Sequence, residues 1–595
     1  MYKTPETLAW VKSVFDDPTK KVVFHNAKFD LKMFGFEGID IFSIQAEVNC
    51  TLILAKMFNG MLPSYELIWL GQRLVGRDTA DKTAIVDWLR ENRRAFVAEH
   101  GRNPGFQDAP KDLVKRRCLW DVETTLYLFA YLYPKVRKSC WSLYCTERDL
   151  MFVVIDMENT GVQVDITRAE ELKAEAEAGI EILRKRLNDL TCPFVVQYAT
   201  CTRKGCRKHK KKIKNPILDC EPTPATCPIC GDPVSIVTNE VTEFNSNSSA
   251  VQLPVVWEKL GFELRYKTKP KKGKKGGKPT GGGRWSFDEY SMIRYSPTSL
   301  AKIIRESGEE GWKLDRFLEA IDEAVDDPRE AVPALILKIN ELKKMISTYY
   351  RHIIEEAVDV RVDPLTGRKV GVLHCNFNQS EAMTGRFSSS HPNFQNMPRI
   401  LGPRECFIPR RGRRNYHIDY SQVEMKFFAH FANDMDMAKA IEDDIHLFVA
   451  GEIYNLALDQ VSKEQRKRAK GVNFGIIYGS GAPTMAETLT KKGLLTTVRE
   501  ATVLVSNYHR RFPSVRRVTS QLKSELARVG YVTNPFGRRY HIHLKKAYTA
   551  LNYMCQGTSA DLIKAAMVRV WKWLRTNYPE VKIIMQVHDE LVLEI

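Results

Sequence analysis

Hydrophobic spacing changes period several times along this chain. A short alternating run reaches Asp419, and apolar positions at helical spacing follow through Phe427, Phe428 and Phe431. The pattern predicts a strand ending at Asp419 and a helix after it. From Val581 to Ile595 two apolar runs flank His588-Asp589, which predicts two strands joined by a tight turn. Between these segments Ser462 and Gln465 form a capping box, so a helix should start near Lys463. In it Arg466, Lys470, Phe474 and Tyr478 recur every four residues. That spacing stacks them on one face, drifting slowly over about three turns. Thr167 and Glu170 form a second capping box, predicting a helix to about Leu190. Residues 1–138 mix short apolar strands with helical stretches, and no internal repeat is evident.

The chain has 595 residues, enough for several domains. Its formal net charge is +18, a surplus that favours a polyanionic partner through phosphate contacts and counterion release. Part of that charge sits in a Lys- and Gly-rich stretch at about 266–284 and in a basic Cys-containing segment at about 196–240. Charge alone is therefore weak evidence for a structured groove. No apolar run is long enough to span a bilayer, and the start lacks a signal peptide's apolar core. The expectation is a soluble, cytoplasmic protein with no membrane partner.

The four-residue row offers two cations and then two rings. Cations hold a polyphosphate and a ring stacks on a base, which together describe a nucleoside triphosphate. The same spacing is also common on ordinary amphipathic helices. A lone Asp in a turn is usually a turn former. Paired aspartates from different strands are, however, what hard divalent ions need beside substrate phosphates. The order acid (Asp419), phosphate-gripping helix, acid (Asp589, with Glu590) is more specific than any one part.

The basic segment holds Cys201-x4-Cys206, His209, Cys220 and Cys227-Pro228-Ile229-Cys230-Gly231. Such a knuckle points two thiolates at one ion, and a second Cys pair completes a tetrahedral Zn²⁺ site. Cys201, Cys206, Cys227 and Cys230 are the expected ligands, with Cys220 or His209 able to replace one. A disulfide framework is the alternative, disfavoured by the lack of secretory features. The Lys/Gly stretch cannot bury a core and reads as a basic loop, either gripping a polyanion or serving as a solvated spacer.

Asp419-Tyr420-Ser421-Gln422-Val423-Glu424, the Arg-x3-Lys-x3-Phe-x3-Tyr-Gly helix and His588-Asp589-Glu590 resemble motifs A, B and C of the family A DNA polymerases, the bacterial polymerase I type and its phage relatives. Thr384-Gly385-Arg386-Phe387-Ser388-Ser389 with Pro392-Asn393-Phe394-Gln395-Asn396 resembles the primer–template segment. Asn552 with Gln556-Gly557-Thr558 resembles the minor-groove segment. The resemblance covers about residues 20–595, interrupted by one insert. It implies a multi-domain α/β chain: an incomplete RNase H-like exonuclease domain, then a right-hand polymerase with helical thumb, antiparallel-sheet palm and helical fingers. The corresponding divisions are 1–138 exonuclease-like, 139–370 thumb with both inserts, 371–437 first palm part, 438–545 fingers and 546–595 second palm part.

The implied function is template-directed addition of dNMP to a primer 3′-hydroxyl with pyrophosphate release, in phage-type replication. The implied partners are primer–template DNA and dNTPs; the expected state is a monomer, with no accessory protein identifiable. By this resemblance Asp419 and Asp589 hold two Mg²⁺ (Mn²⁺ able to substitute), with Glu590 as acidic support. Arg466, Lys470 and His446 take the triphosphate, Lys470 also as a proton donor to pyrophosphate. Phe474, Tyr478, Glu424 and Gln422 surround the incoming nucleotide, Glu424 placed against a ribose 2′-hydroxyl. Arg386, Asn396, Asn552, Gln556, His588 and Gly479 face DNA. Four residues before Asn552 the bacterial enzymes carry Arg, and here Tyr548 puts that template contact in doubt.

Val22 to Asp30 and Cys118 to Thr125 resemble two motifs of the DnaQ-like 3′–5′ exonucleases, with Asp30 and Asp121 as the remaining acids. The first motif, Asp-x-Glu, has no room before Asp30, and Arg117 stands where the family has Tyr. The resemblance thus implies that this chain alone does not proofread. It also implies truncation at both termini, because family members continue past the strand in which Ile595 lies. Three rivals remain: a single-subunit RNA polymerase, opposed by Glu424 and Phe474; a non-catalytic DNA-binding fragment; and a nuclease, opposed by the missing motif.

Overall fold

The structure, a computed structural model, describes residues 4–206, 212–214 (backbone only), 225–248, 252–263, 287, 292–293, 295–307, 313–398 and 402–595. His209, Cys220 and the Lys/Gly-rich stretch lie outside these residues.

Four hydrophobic cores organise the chain. The first lies under a parallel strand pair, Lys21–Phe24 and Glu47–Cys50, against helices Ala27–Phe36, Thr51–Phe58 and Lys111–Thr160. Leu31, Leu54, Leu70, Leu128 and Leu132 are fully buried there. The long helix Lys111–Thr160 kinks at Cys140 and runs out of this core into the next part of the molecule.

The second core gathers helices Ile166–Thr191, Gln252–Lys259, Leu314–Ala324 and Val332–Met345 around Trp257. Strands Phe194–Cys201 and Val234–Val241 pair antiparallel beside it, with Lys212–Lys214 on the other edge of Phe194–Cys201. The start of the first of these helices differs from expectation. Its N-cap is Asp165, whose carboxylate accepts from Arg168 N at 2.8 Å. Asp caps a helix as well as Thr does and comes two residues earlier. Thr167 instead accepts a hydrogen bond from Lys369 N at 2.8 Å, and Glu170 pairs with Lys369 Nζ at 3.1 Å.

The third core lies against an antiparallel sheet ordered Asn415–Asp419, Glu590–Glu594, Lys582–Val587. The predicted strands and the turn at His588-Asp589 form as expected, with His588 in the left-handed region at φ 55°. Residues 150–176 also pack into this core. The fourth core is helical and includes Val423–Ala432, Ile445–Tyr454, Lys463–Ile477, Val498–Arg511 and part of Ala550–Asn577.

A buried ionic network ties the long first-domain helix to the sheet core. Glu147, Asp561 and Lys564 are fully buried and Arg538 nearly so. Glu147 Oε1 accepts from Arg538 at 2.5 Å and from Lys564 at 2.6 Å, and Asp561 pairs with Arg538 at 2.5 Å. Asn534 Nδ2 donates to Asp561 at 2.7 Å. Removing one partner from such a network strands a buried charge, at a cost of about 3–5 kcal/mol.

Gly557 on helix Ala550–Asn577 lets Tyr540 approach this network. A Cβ at Gly557 would lie 1.6 Å from Tyr540 Oη and 2.8 Å from Thr384 O. Gly557→Ala should therefore destabilise the chain by about 1–3 kcal/mol. The measurement is the denaturant midpoint at constant slope; an unshifted midpoint would mean that the Tyr540 ring moves aside at no cost.

Candidate active site

Asp419 ends its strand directly opposite Glu590, and Tyr420 N donates to Asp589 O at 3.2 Å. The strand pairing thus brings Asp419 beside Asp589 although they are 170 positions apart in sequence (589 − 419). Burial raises the Asp589 pKa and the Asp419 charge raises it further, against the lowering effect of Arg386. Asp589 Oδ1 is buried with no hydrogen-bond partner, and the Arg386 guanidinium stands 3.9 Å from it. Arg386 itself grips Glu424, whose Oε2 accepts from Tyr478 Oη at 3.3 Å. Glu590 is engaged by His417 Nδ1.

The capped helix forms over Lys463–Ile477 with the predicted Ser462/Gln465 box. Ala469, Val472, Asn473, Ile476 and Ile477 are buried, so the opposite face carries Arg466, Lys470 and Phe474. Tyr478 is the C-cap residue rather than part of the helix, and Gly479 follows at φ 70°. A Cβ at Gly479 would lie 2.6 Å from Tyr548 O, so the turn needs glycine for space as well as for its backbone angle. The Phe474 and Tyr478 ring centroids are 6.1 Å apart, and Phe474 lies 5.8 Å from His446.

Asp444 holds the cationic end. It caps helix Ile445–Tyr454 through His446 N and Leu447 N, and its second oxygen accepts from Arg466 Nε at 2.6 Å. His446 Nδ1 lies 3.0 Å from buried Asn473 Nδ2. Burial, with the Lys470 charge nearby, lowers the His446 pKa to about 4, so the ring is neutral at pH 7.

Other residues expected to meet DNA or the nucleotide are carried by several elements. Asn552 and Gln556 share one face of helix Ala550–Asn577, and Asn552 Oδ1 has no hydrogen-bond partner. Gln422 is exposed at φ 51°, one residue before helix Val423–Ala432. Asn396 is exposed, its carbonyl accepting from Tyr349 Oη at 2.5 Å. Tyr548 is exposed.

Two positioning residues escaped the sequence reading. Buried Gln395 accepts from His588 N at 3.0 Å and donates to Gln586 O at 2.6 Å, which fixes the turn bearing Asp589. Asn473 orients His446. Gln395 lay inside a segment with a recognisable pattern, but only the long-range contact reveals its role.

In the first domain Asp30 sits in the first turn of helix Ala27–Phe36, and burial raises its pKa to about 6. Asp121 is held by Lys82 and lies 3.9 Å from Arg117. Among the described residues neither acid belongs to a group of three or more metal-ligating side chains. One such group exists: Cys201, Cys206, Cys227 and Cys230, with sulfurs all within 4.8 Å of one another. The Cys201–Cys230 and Cys206–Cys227 sulfurs are 3.5 and 4.0 Å apart. Backbone amides of Ile229 and Cys230 lower the Cys227 thiol pKa, and burial raises that of Cys201.

Comparison with known proteins places the chain in a family. A family model described as DNA polymerase family A matches residues 298–595, and one described as 3′-5′ exonuclease matches residues 1–137. The second match identifies an exonuclease domain and lends no support to the expected loss of its activity. DNA polymerase I of Pseudomonas aeruginosa is 35% identical over 280 residues, 44% of this chain and 29% of that protein. The thermostable DNA polymerase I of Thermus aquaticus is 36% identical over 284 residues, 45% of this chain and 32% of that protein. The chain thus matches about a third of the length of these curated relatives. The solved POL domain of Pol1 from M. smegmatis, in complex with DNA primer-template and dNTP, shares the fold at TM-score 0.65 and 21% identity, covering 100% of this chain and 83% of that one. With half the chain, residues 298–595, matched to one family, this chain belongs to the family A DNA polymerases.

Proposed function

We propose that the chain is a DNA-directed DNA polymerase that extends a primer 3′-hydroxyl with dNMP. One observation carries this reading: Asp419 and Asp589 meet at the end of paired strands, with Asp589 Oδ1 buried and lacking a hydrogen-bond partner. An oxygen in that state suits a cation. Asp419 and Asp589 would hold two Mg²⁺ (or Mn²⁺), which when bound would activate the primer hydroxyl and stabilise the leaving pyrophosphate.

The chain's own residues supply binding and orientation. Arg466, now on Asp444, and exposed Lys470 would take the β- and γ-phosphates, with neutral His446 beside them. Lys470 would give its proton to pyrophosphate. Phe474 would pack on the incoming sugar and base. Glu424 would collide with a ribose 2′-hydroxyl, which favours deoxynucleotides over the RNA polymerase alternative. Arg386, released from Glu424, would join Asn552, Gln556 and His588 on the minor-groove side, with Asn396 and Gly479 facing the duplex and Gln422 beside the incoming nucleotide. Tyr478 would fill the template-base position until the nucleotide enters. The relative in complex with primer-template and dNTP supports these partners.

The domain divisions at about 138, 370, 437 and 545 are kept from the sequence resemblance, although one helical core runs from Met425 to Cys555 across two of them. Editing is expected to be weak, because Lys82 and Arg117 occupy the surroundings of Asp121. The phage-type replicative setting rests on sequence resemblance alone. The four thiols suit Zn²⁺, since bonds of about 2.3 Å in a tetrahedron place sulfurs about 3.8 Å apart.

Asp419→Ala should leave primer–template affinity within about two-fold of the parent while lowering single-turnover extension by at least about a thousand-fold. Joint loss of binding and extension would make Asp419 structural. The purified chain should carry one zinc by elemental analysis, lost in Cys227→Ser/Cys230→Ser. A metal-free parent would leave the knuckle a set of thiols. A 3′-mismatched primer should persist for many turnovers' time with Mg²⁺ and no dNTP; its rapid trimming would show a working editing site.

A further inference from the structure

The segment Asn376–Phe387 carries Arg386 into the acidic cleft, and most of what holds it comes from the first 160 residues. Lys28 Nζ donates to Phe377 O at 2.9 Å, and Lys56 Nζ donates to Ser380 O at 2.8 Å. Both lysines sit on helices of the exonuclease match, Ala27–Phe36 and Thr51–Phe58. Glu158, 3% exposed, accepts from Phe377 N at 2.7 Å and pairs with Lys28 at 2.7 Å and Lys32 at 3.0 Å. Gln379 Nε2 donates to Glu147 O at 2.7 Å and to its carboxylate at 2.8 Å.

The buried ionic network grips the same segment from the other side. Lys564 Nζ donates to Gln379 O at 2.5 Å and lies 5.5 Å from the Phe387 ring centroid. Tyr540 Oη donates to Thr384 O at 3.4 Å. Gly385, at φ 85°, lies so close to Arg538 that an added Cβ would meet its guanidinium at 2.9 Å. Arg386 follows directly and reaches Glu424, 3.9 Å from Asp589.

Loops that bear functional side chains are ordinarily the least stable parts of a fold. This one is fixed at Phe377, Gln379, Ser380, Thr384 and Gly385 before it delivers its arginine. We infer that the exonuclease-type domain has a second role, as a brace that sets the position of Arg386 in the polymerase cleft. Lys56 and Lys28 are the domain's positioning residues acting through the segment, Glu147 adds a hold from the long helix beyond the match, and this role does not require the domain to cut DNA. The kinetic readout rests on the polymerase reading above; the exchange readout does not.

The test uses the full chain with Lys56→Met, Lys56→Arg, Arg386→Ala and the Lys56→Met/Arg386→Ala pair. Lys28→Met serves as a second lesion on the other clamp. Lys56→Met should lower kcat of primer extension about five-fold or more while changing the dNTP KM less than about two-fold. Lys56→Arg should restore most of the rate. In the Arg386→Ala background the same lesion should cost less than about two-fold, because its effect passes through the side chain already removed. Amide exchange at residues 380–387 should quicken several-fold in both Met variants. An equal rate loss in both backgrounds, or unchanged exchange in that segment, overturns the brace. A parent chain that extends no primer overturns the polymerase reading, and exchange then decides the brace alone.

Discussion

Two carboxylates set side by side repel each other, and the rest of this site answers that repulsion. The Asp419 charge raises the Asp589 pKa, so the repulsion is felt in this fold. The antiparallel pairing of Asn415–Asp419 with Glu590–Glu594 fixes Asp419 next to Asp589 regardless of that cost. Gln395 and Gln586 hold the turn, so the acids cannot relax apart by moving it. Arg386 supplies partial neutralisation, leaving an oxygen of Asp589 buried and without a hydrogen bond. In the reading proposed above this tension would draw cations, and the row Arg466, Lys470 would draw phosphates.

The contrast between the two acidic regions follows from their neighbours. Asp121 already has Lys82 and Arg117 beside it, so its charge is met by the protein. Asp589 has one guanidinium at the edge of salt-bridge range, shared with Glu424. The same residue type therefore has different needs on the helix at 121 and in the turn at 589. The same logic applies to the cationic row, where Arg466 rests on Asp444 and exposed Lys470 lies nearby.

Local order was legible in the sequence. The Ser462/Gln465 box, the four-residue row, the strands around His588-Asp589 and the four convergent cysteines all depend on residues near one another in the chain or on strong pairing signals. Even locally, competition misled: Asp165 and Thr167 are both good caps, and the tertiary contact of Thr167 with Lys369 decided between them. Tyr478 continued the row by spacing, but Gly479 ended the helix first. What could not be read was the long-range bonding. Glu147 meets partners 391 and 417 positions away, and Gln395 meets one 193 away. Such pairs carry no periodicity, and their burial is visible only once the cores have assembled.

The central claim is that Asp419 and Asp589 together hold two divalent ions opposite Lys470. The direct measurement is anomalous diffraction from crystals of the chain grown with Mn²⁺, a dideoxy-terminated primer–template and the next dNTP. The account predicts two manganese peaks about 3.5–4 Å apart, both ligated by these aspartates, with the Lys470 ammonium on the triphosphate. No peak between the two carboxylates, or a triphosphate bound away from Lys470, would contradict it.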